Sequence, residues 1–465
     1  MTWEGRGVFE VSSADPDSTS PVWVDFTSRI RDVIQPPTLA TGRQNDLEQS
    51  EPSVFTATLD NVDDALTYGN TASPYPWWGP GRKCRYREVI AGTNMALFTG
   101  FLLVPTELQA TSGLEQRVQI TAVDRLGRLA TAETFVSTLD AHIKYNGGSA
   151  LVAHWPMSDA AGALSAASLV TGVGPILQVT NYNDSLVNSQ LLWANRAGPR
   201  GDDASYVQLN PTAAVIANNY VGRPRLVRRD ISVPMTAGTV VAFLAWIYIP
   251  VDTTQPAGPG QVLVSHPNGS SNPTVQLRAD IGTTGWNFQF ADAGHALTTV
   301  AVPAVKTDAW SLVGAFMDVD ASTITIFADG QTATASLGAP AFAGTFQEIA
   351  LDGFAGQSFG PVQIYTGTAA QLNQAFFAAQ YQMGLLGMER QSTGDRIRTV
   401  AQYAGIPATE LTQIDTGQSV MQRALLAGQT PLDAMRDAER TEQGLLYVDG
   451  SGNLIFKDRR TLYNI

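Results

Sequence analysis

Apolar and polar residues alternate along this chain at two periods, and the places where the period changes mark its organisation. Up to about residue 145 the period is two. In VFTATLDN (54–61), Phe55, Ala57 and Leu59 alternate with Val54, Thr56 and Thr58, the pattern of a half-buried strand, and Asn61 and Asp63 follow as turn residues. SPYPWWGPGRKCRYREVI opens as a proline and glycine loop and predicts a strand from Lys83. ALFTGFLLVPTEL and RVQITAVDRLGRL continue the strand pattern, so the first domain reads as all-β.

From Leu151 the texture shifts to Ser, Thr, Ala, Asn and Gly around regularly spaced strands: TVVAFLAWIYIP, GQVLVSHPN, TVQLRAD, GWNFQFAD and FGPVQIYTG. Spacing of this kind predicts a β-sandwich. WSLVGAFMD and STITIFADG read as a hairpin with Asp329-Gly330 as its closing turn. After Gly367 the period becomes helical. AAQLNQAFFAAQYQMGLLG places Leu372, Phe376, Ala379 and Met383 on one face. TGDRIRTVAQYAG predicts a helix with Thr393 as N-cap and Gly405 as its stop. Residues 430–444 predict another, followed by two strands around Asp449-Gly450. The expected fold is mainly β and multidomain: a β-barrel-like domain at 1–148, a jelly-roll-like β-sandwich at 149–370 and an α+β segment at 371–465. Trp155, Phe243, Trp246, Phe288, Trp310 and Phe327 are the expected sandwich core.

Composition narrows the functions open to such a chain. Hydrophobic residues are 44% and charged residues 15% of 465, enough for real cores over several domains. A net charge of −13 argues against a nucleic-acid surface, which needs clustered Lys and Arg. The single cysteine, Cys84, excludes an internal disulfide framework and a Cys-rich zinc site. His142, His154, His266 and His295 lie at no helical metal spacing. MTWEGRGVFE lacks the apolar core of a signal peptide, and the run at 239–251 is too short to span a bilayer. The expectation is a chain made soluble in the cytoplasm, without metal, cofactor or membrane insertion.

Candidate chemistry is sparse, and each candidate has a plainer reading. LVAHWPMSDAAGA (151–163) brings His154, Trp155 and Asp159 together, but no Gly-x-Ser-x-Gly elbow or reactive cysteine accompanies them. The plainer reading is a first strand with Trp155 inward and a turn at Asp159 and Gly162. Glycan-cleaving sandwiches use paired carboxylates, commonly glutamates, yet no glutamate lies between Glu133 and Glu348. Asp318 and Asp320 are the nearest pair, and they read as solvated turn residues. Trp77 and Trp78 read as loop anchors. The cations Arg82, Lys83, Arg85 and Arg87 are expected to face solvent or an acidic neighbouring subunit. VGRPRLVRRD (221–230) lacks the Gly-Lys-Ser of a phosphate loop. No catalytic residue is therefore assigned, and the chain does not read as an enzyme.

Several ordered motifs resemble one family. WVDFTSRI, TGRQNDLEQSEPSVFTATLDNVDDALTYGNTASPYPWWGPGRKCRYR, ALFTGFLL and VQITAVDRLGRL, within residues 23–129, resemble the N-terminal part of minor tail proteins of long-tailed actinobacterial phages. TGDRIRTVAQYAGIP and GLLYVDGSGNLIFKDR also look like that family. AHWPMSDAAGA resembles the first strand of laminin-G-like, concanavalin-A-type domains, although Met157 and Ser158 replace the usual residues and no glutamate follows Asp159. The resemblance implies a structural virion component at the tail tip or baseplate, with a lectin-like domain inserted into a hub. It implies self-association, with a trimer favoured and a hexameric distal-tail ring as the alternative, and contacts with other tail proteins. Binding of a host-surface glycan by the insert is left open, and its glycan-binding residues are unassigned.

Overall fold

The computed structural model describes residues 6–31, 36–42, 49–109, 116–179, 190–210, 225–250, 258–267, 275–281, 285–291, 297–303, 306–336, 344–351 and 356–463. Their strands pair antiparallel, apart from the parallel pair Gln413–Ile414 with Leu454–Lys457, in two compact units, so the chain is mainly β and multidomain. The first unit comprises residues 1–135, 390–422 and 428–465, and the second residues 136–389 and 423–427.

The first unit is built on strands β1 (Arg6–Ser12), β2 (Trp23–Asp25), β3 (Thr38–Gly42), β4 (Glu51–Asp60), β5 (Lys83–Ile90), β6 (Thr93–Leu102), β7 (Thr106–Gln109) and β8 (Gln116–Val123). They lie in the order β2-β1-β5-β6-β8-β4-β3, with β7 also on β8. In a flat sheet β1 and β4 would stand about 19 Å apart, four strand spacings. The rings of Phe9 on β1 and Phe55 on β4 instead stack at 5.4 Å. The sheet therefore curls like a barrel around one core, which also takes in Leu59, Cys84, Phe98, Val118 and Ile120. The period-two reading of β4 is met, with Phe55, Ala57 and Leu59 buried.

RVQITAVDRLGRL is only half strand. Asp124 caps helix α1 (Arg125–Ala130) by accepting from the Gly127 amide at 3.1 Å. The C-terminal part of this unit contains two amphipathic helices, Thr393–Tyr403 and Pro431–Glu442, and a small sheet of Gln413–Ile414, Leu454–Lys457 and Leu445–Val448. The N-cap of the Thr393–Tyr403 helix is Ser392 rather than Thr393. Gly405 follows that helix at φ +82°, as a stop should. Two ties join the N- and C-terminal stretches of the unit: Arg436, paired with Glu439 on its own helix, donates to the Ser50 carbonyl, and Arg125 pairs with Glu410.

In the second unit two antiparallel sheets enclose a large core. The Val240–Ile249 strand is central to one of them and buried along its whole length. Val241, Phe243, Ala245 and Ile247 face the other sheet, while Val240, Ala242, Leu244 and Trp246 face helices α2 (Thr138–Gly147) and α3 (Gln374–Leu386). Burial on both faces explains why that segment reads as one continuous apolar run. The strand Leu151–Trp155 lies antiparallel beside Ser358–Gly367, with Trp155 opposite Val362 and His154 opposite Gln363. First and last strands of the sandwich are thus neighbours.

Several local expectations shift. Ala309–Asp318 and Thr323–Ala328 do form a hairpin, but Asp329-Gly330 closes the next one, between Thr323–Ala328 and Gln331–Ser336. The buried face of α3 carries Phe377, Gln380 and Gly384, one step round from the expected stripe, and Ala379 is exposed. Trp155, Phe243 and Phe288 do lie between the sheets. Trp246 and Phe327 belong to the second core under the helices, and Trp310 is half-buried at the border of both. The contact units divide at 135/136 and 389/390 rather than at 148/149 and 370/371, because α2 and α3 pack on the sandwich.

Candidate functional site

The strand Leu151–Trp155 separates His154 from Trp155, since successive side chains point to opposite faces. Trp155 enters the core between the sheets and its Nε1 donates to the Gly174 carbonyl at 3.0 Å. His154 is 0% exposed and faces α2, where its Nε2 lies 2.8 Å from Oδ1 of Asp140. Asp140 stands in the first turn of α2, in a reciprocal cap with Ser137: its amide donates to Ser137 Oγ at 3.1 Å, and that hydroxyl donates to Asp140 Oδ2 at 3.0 Å. Asp159 accepts from the Ala167 amide at 3.2 Å, and burial pushes its carboxyl up. A histidine sealed from solvent cannot reach a substrate, so the three residues serve the sandwich strand and the turn after it.

Asp318 and Asp320 also serve the backbone. Asp318 Oδ1 accepts from Ala321 N at 3.0 Å and Asp320 Oδ1 from Gly238 N at 2.8 Å. Trp78 is buried and Trp77 half-buried, with their rings 5.3 and 6.2 Å from Phe26, as loop anchors should be. The four cations near Cys84 find acceptors within this chain rather than requiring a neighbouring subunit. Arg85 and Arg87 donate to one oxygen of Glu10 at 2.7 and 2.8 Å, Arg82 donates to the Ala14 carbonyl at 2.8 Å, and Lys83 lies 3.4 Å from Glu410. Cys84 is buried, and burial pushes its thiol far up, away from the reactive thiolate. In VGRPRLVRRD, Arg229 lies 3.2 Å from Glu348, and residues 221–224 lie outside the described residues. So do Arg43 and Gln44, the N-terminal five residues and His295.

Two arrangements were not legible in the sequence. The first is a cavity of about 360 Å³ in the first unit, lined by Ser50, Ser53, Thr99, Asp124, Tyr447 and Gly450 among others. Of its two aspartates, Asp124 is tied to the backbone as the α1 cap and accepts from Ser53 N at 2.8 Å; burial nevertheless pushes its carboxyl up. Asp449 accepts from the Asn453 amide at 2.9 Å. The cavity offers hydroxyls and these carboxylates to a small polar group. The second is a polar cluster near His154, in which Asp140, Asp202 and Tyr206 are buried and Asp203 is half-buried. Only the adjacent Asp202-Asp203 and the Ser-x-x-Asp cap at 137–140 hinted at it. Among the described residues, no three His, Cys, Asp or Glu side chains are placed to share a metal ion, and no helix is long and apolar enough to cross a membrane.

No family model matches the chain, and no curated protein matches it. Among solved structures it is similar to the binding domain of botulinum neurotoxin serotype D, at 10% identity and a TM-score of 0.37, over 54% of this chain and 55% of that one. It is similar too to the binding domain of Paraclostridial Mosquitocidal Protein 1, at 10% identity and a TM-score of 0.33, over 52% and 54%. The serotype G binding domain matches at 9% identity and a TM-score of 0.31, over 52% and 53%. The chain spans about half the length of the structures it matches. Similarity at this level assigns no site.

Proposed function

We propose that this chain is a structural component of the tail tip of a long-tailed phage. In this reading the first unit builds part of a symmetric hub, and the second is a β-sandwich carried on it to meet the host surface. The observation that carries the reading is the chain order: the first unit is interrupted by a sandwich whose first and last strands are neighbours. A domain with adjacent ends can be inserted at little cost, because loop-closure entropy grows slowly with length. The ordered tail-protein motifs lie on the two sides of this insertion, as a hub with a presented module requires.

The role is assembly and binding, with host-wall glycan as the expected target of the sandwich. Asp318, Asp320 and His154, the residues best suited to acid–base work by type, are all engaged in turns or sealed in the fold. Antibodies against the purified chain should label virion tail tips by electron microscopy, with the chain present in a fixed ratio to the tail. Unlabelled virions would overturn the proposal. Incubated with actinobacterial wall polysaccharide, the protein should release no reducing sugar; turnover that is lost in Asp318→Asn would show an enzyme instead.

A further inference from the structure

Residues 423–427 form a short excursion that belongs to the second unit, although the chain on either side belongs to the first. Two groups hold it. Asp203 Oδ2 accepts from the Ala427 amide at 2.7 Å, and Thr138 Oγ1 accepts from the Leu426 amide at 3.3 Å while lying 3.4 Å from the Ala424 carbonyl. Both groups are themselves set by carboxylates at the start of α2. Asp203 Oδ1 accepts from Thr138 N at 3.0 Å, and Asp202 Oδ1 accepts from Leu139 N at 2.9 Å. Asp140 completes the group from within the same helical turn.

We propose that Asp140, Asp202 and Asp203 form a proton-sensitive clasp, which holds residues 424–427 more tightly when the cluster carries an additional proton. Asp140 and Asp202 are 2% and 6% exposed, so two ionised carboxylates would repel each other in a dry site. The helix-start amides offset part of that repulsion. Among the described residues no Lys or Arg side chain bonds to Asp202, and the other groups around it are these. Tyr206 donates its hydroxyl to Asp202, and burial keeps that phenol neutral by raising it well above its ordinary value. His154 faces Asp140 from the neighbouring strand. Arg200 is turned to Glu389 at 2.8 Å, and Arg423 donates to the Arg200 carbonyl at 2.5 Å. Burial first, and then the charge of Asp140, push the Asp202 carboxyl up to about 7.

A carboxyl raised in the fold above its ordinary value near 4 binds its proton better folded than unfolded. Its stabilising effect is complete below the ordinary value and is lost as pH rises towards 7. Above that, repulsion between Asp202 and Asp140 drives the 202–203 loop away from the first turn of α2. That movement separates Asp203 from Thr138, the two side chains that take the Leu426 and Ala427 amides.

Hydrogen exchange on the full chain tests this through the amides of Leu426 and Ala427, as protection factors corrected for the intrinsic pH dependence of exchange. Protection should be about tenfold or more higher at pH 5 than at pH 8, tenfold being the factor that one pKa unit represents. Asp202→Asn, which cannot ionise, should remove the slope and hold the pH 8 value near the acid one. Asp140→Asn should weaken the slope in the same sense, and it serves if the first variant fails to fold. Equal protection of these amides at both pH values in the unmodified chain would overturn the proposal. So would a full slope retained in whichever variant folds.

Discussion

Glu10 shows how one residue changes the meaning of a whole stretch. Alternation along KCRYR announces cations on one face of a strand, but their partner lies on β1, 75 residues before Arg85, and only pairing of β1 with β5 brings them together. Glu10→Gln should leave Arg85 and Arg87 as uncompensated neighbours and cost about 1.5–3 kcal/mol at pH 7, the range for hydrogen bonds to charged groups. Burial pushes the Glu10 carboxyl up, but the hydrogen bonds and charges of the two arginines outweigh it and hold the group below its ordinary value. Its contribution is therefore present above the ordinary carboxylate value and lost as pH falls through the lower folded one. Denaturant midpoints of the two proteins should differ at pH 7 and converge as pH falls below the folded value of Glu10. Trp155 lies at the opposite extreme, legible from its own strand. Trp155→Ala should cost about 3–5 kcal/mol by chemical denaturation, whereas a loss below about 1 kcal/mol would contradict a core position.

At the level of elements, α3 and the strand beneath it make a sharp test of packing. Gly384 lies in the last turn of α3, and an alanine there should raise helix propensity by about 1 kcal/mol. Any Cβ at this position, however, would land on the indole of Trp246, and the Gly384 carbonyl already accepts from Gly201 N at 2.7 Å. Gly384→Ala should therefore lower the melting temperature. An unchanged or higher value would show that the helix does not lie on Trp246. Such contacts explain what was legible. Strand periodicity exposed β4 and the Val240–Ile249 strand, because burial on one or both faces writes itself into the local sequence. The apolar spacing places the face of α3 one step off, because Leu372 precedes the helix and Gln380 is buried, holding the Tyr365 hydroxyl at 2.6 Å. Apolarity alone could not reveal a buried glutamine. Asp329-Gly330 was recognised as a turn from its chemistry, with φ of +50° and +86°, yet chemistry did not say which two strands it joins.

For the whole molecule, the partition of the core decides where the chain can be cut. A sandwich bounded at 150 and 367 would keep its inter-sheet core but lose α2 and α3. The outer face of its first sheet, with Leu244, Trp246, Leu312, Phe327 and Tyr365, would then lie bare. An apolar face of that size is an aggregation site in a soluble fragment. Residues 136–389 retain both helices and both cores. Expressed alone, this longer fragment should unfold in one cooperative transition and stay monomeric, whereas residues 150–367 should aggregate or bind a hydrophobic dye. Residues 423–427 are absent from both fragments, so the clasp on them does not bear on the comparison. The proposed hub adds a second expectation, since cyclic assemblies repeat one heterologous contact. A chain in which residues 136–389 are replaced by a short Gly/Ser linker should still self-associate, with a trimer expected by light scattering and a hexamer as the alternative. If that chain is monomeric while the full protein is oligomeric, the contacts lie in the sandwich, and the first unit is not the hub. If the 136–389 fragment is unfolded while the full chain is stable, the two units depend on each other, and the inserted-module reading fails.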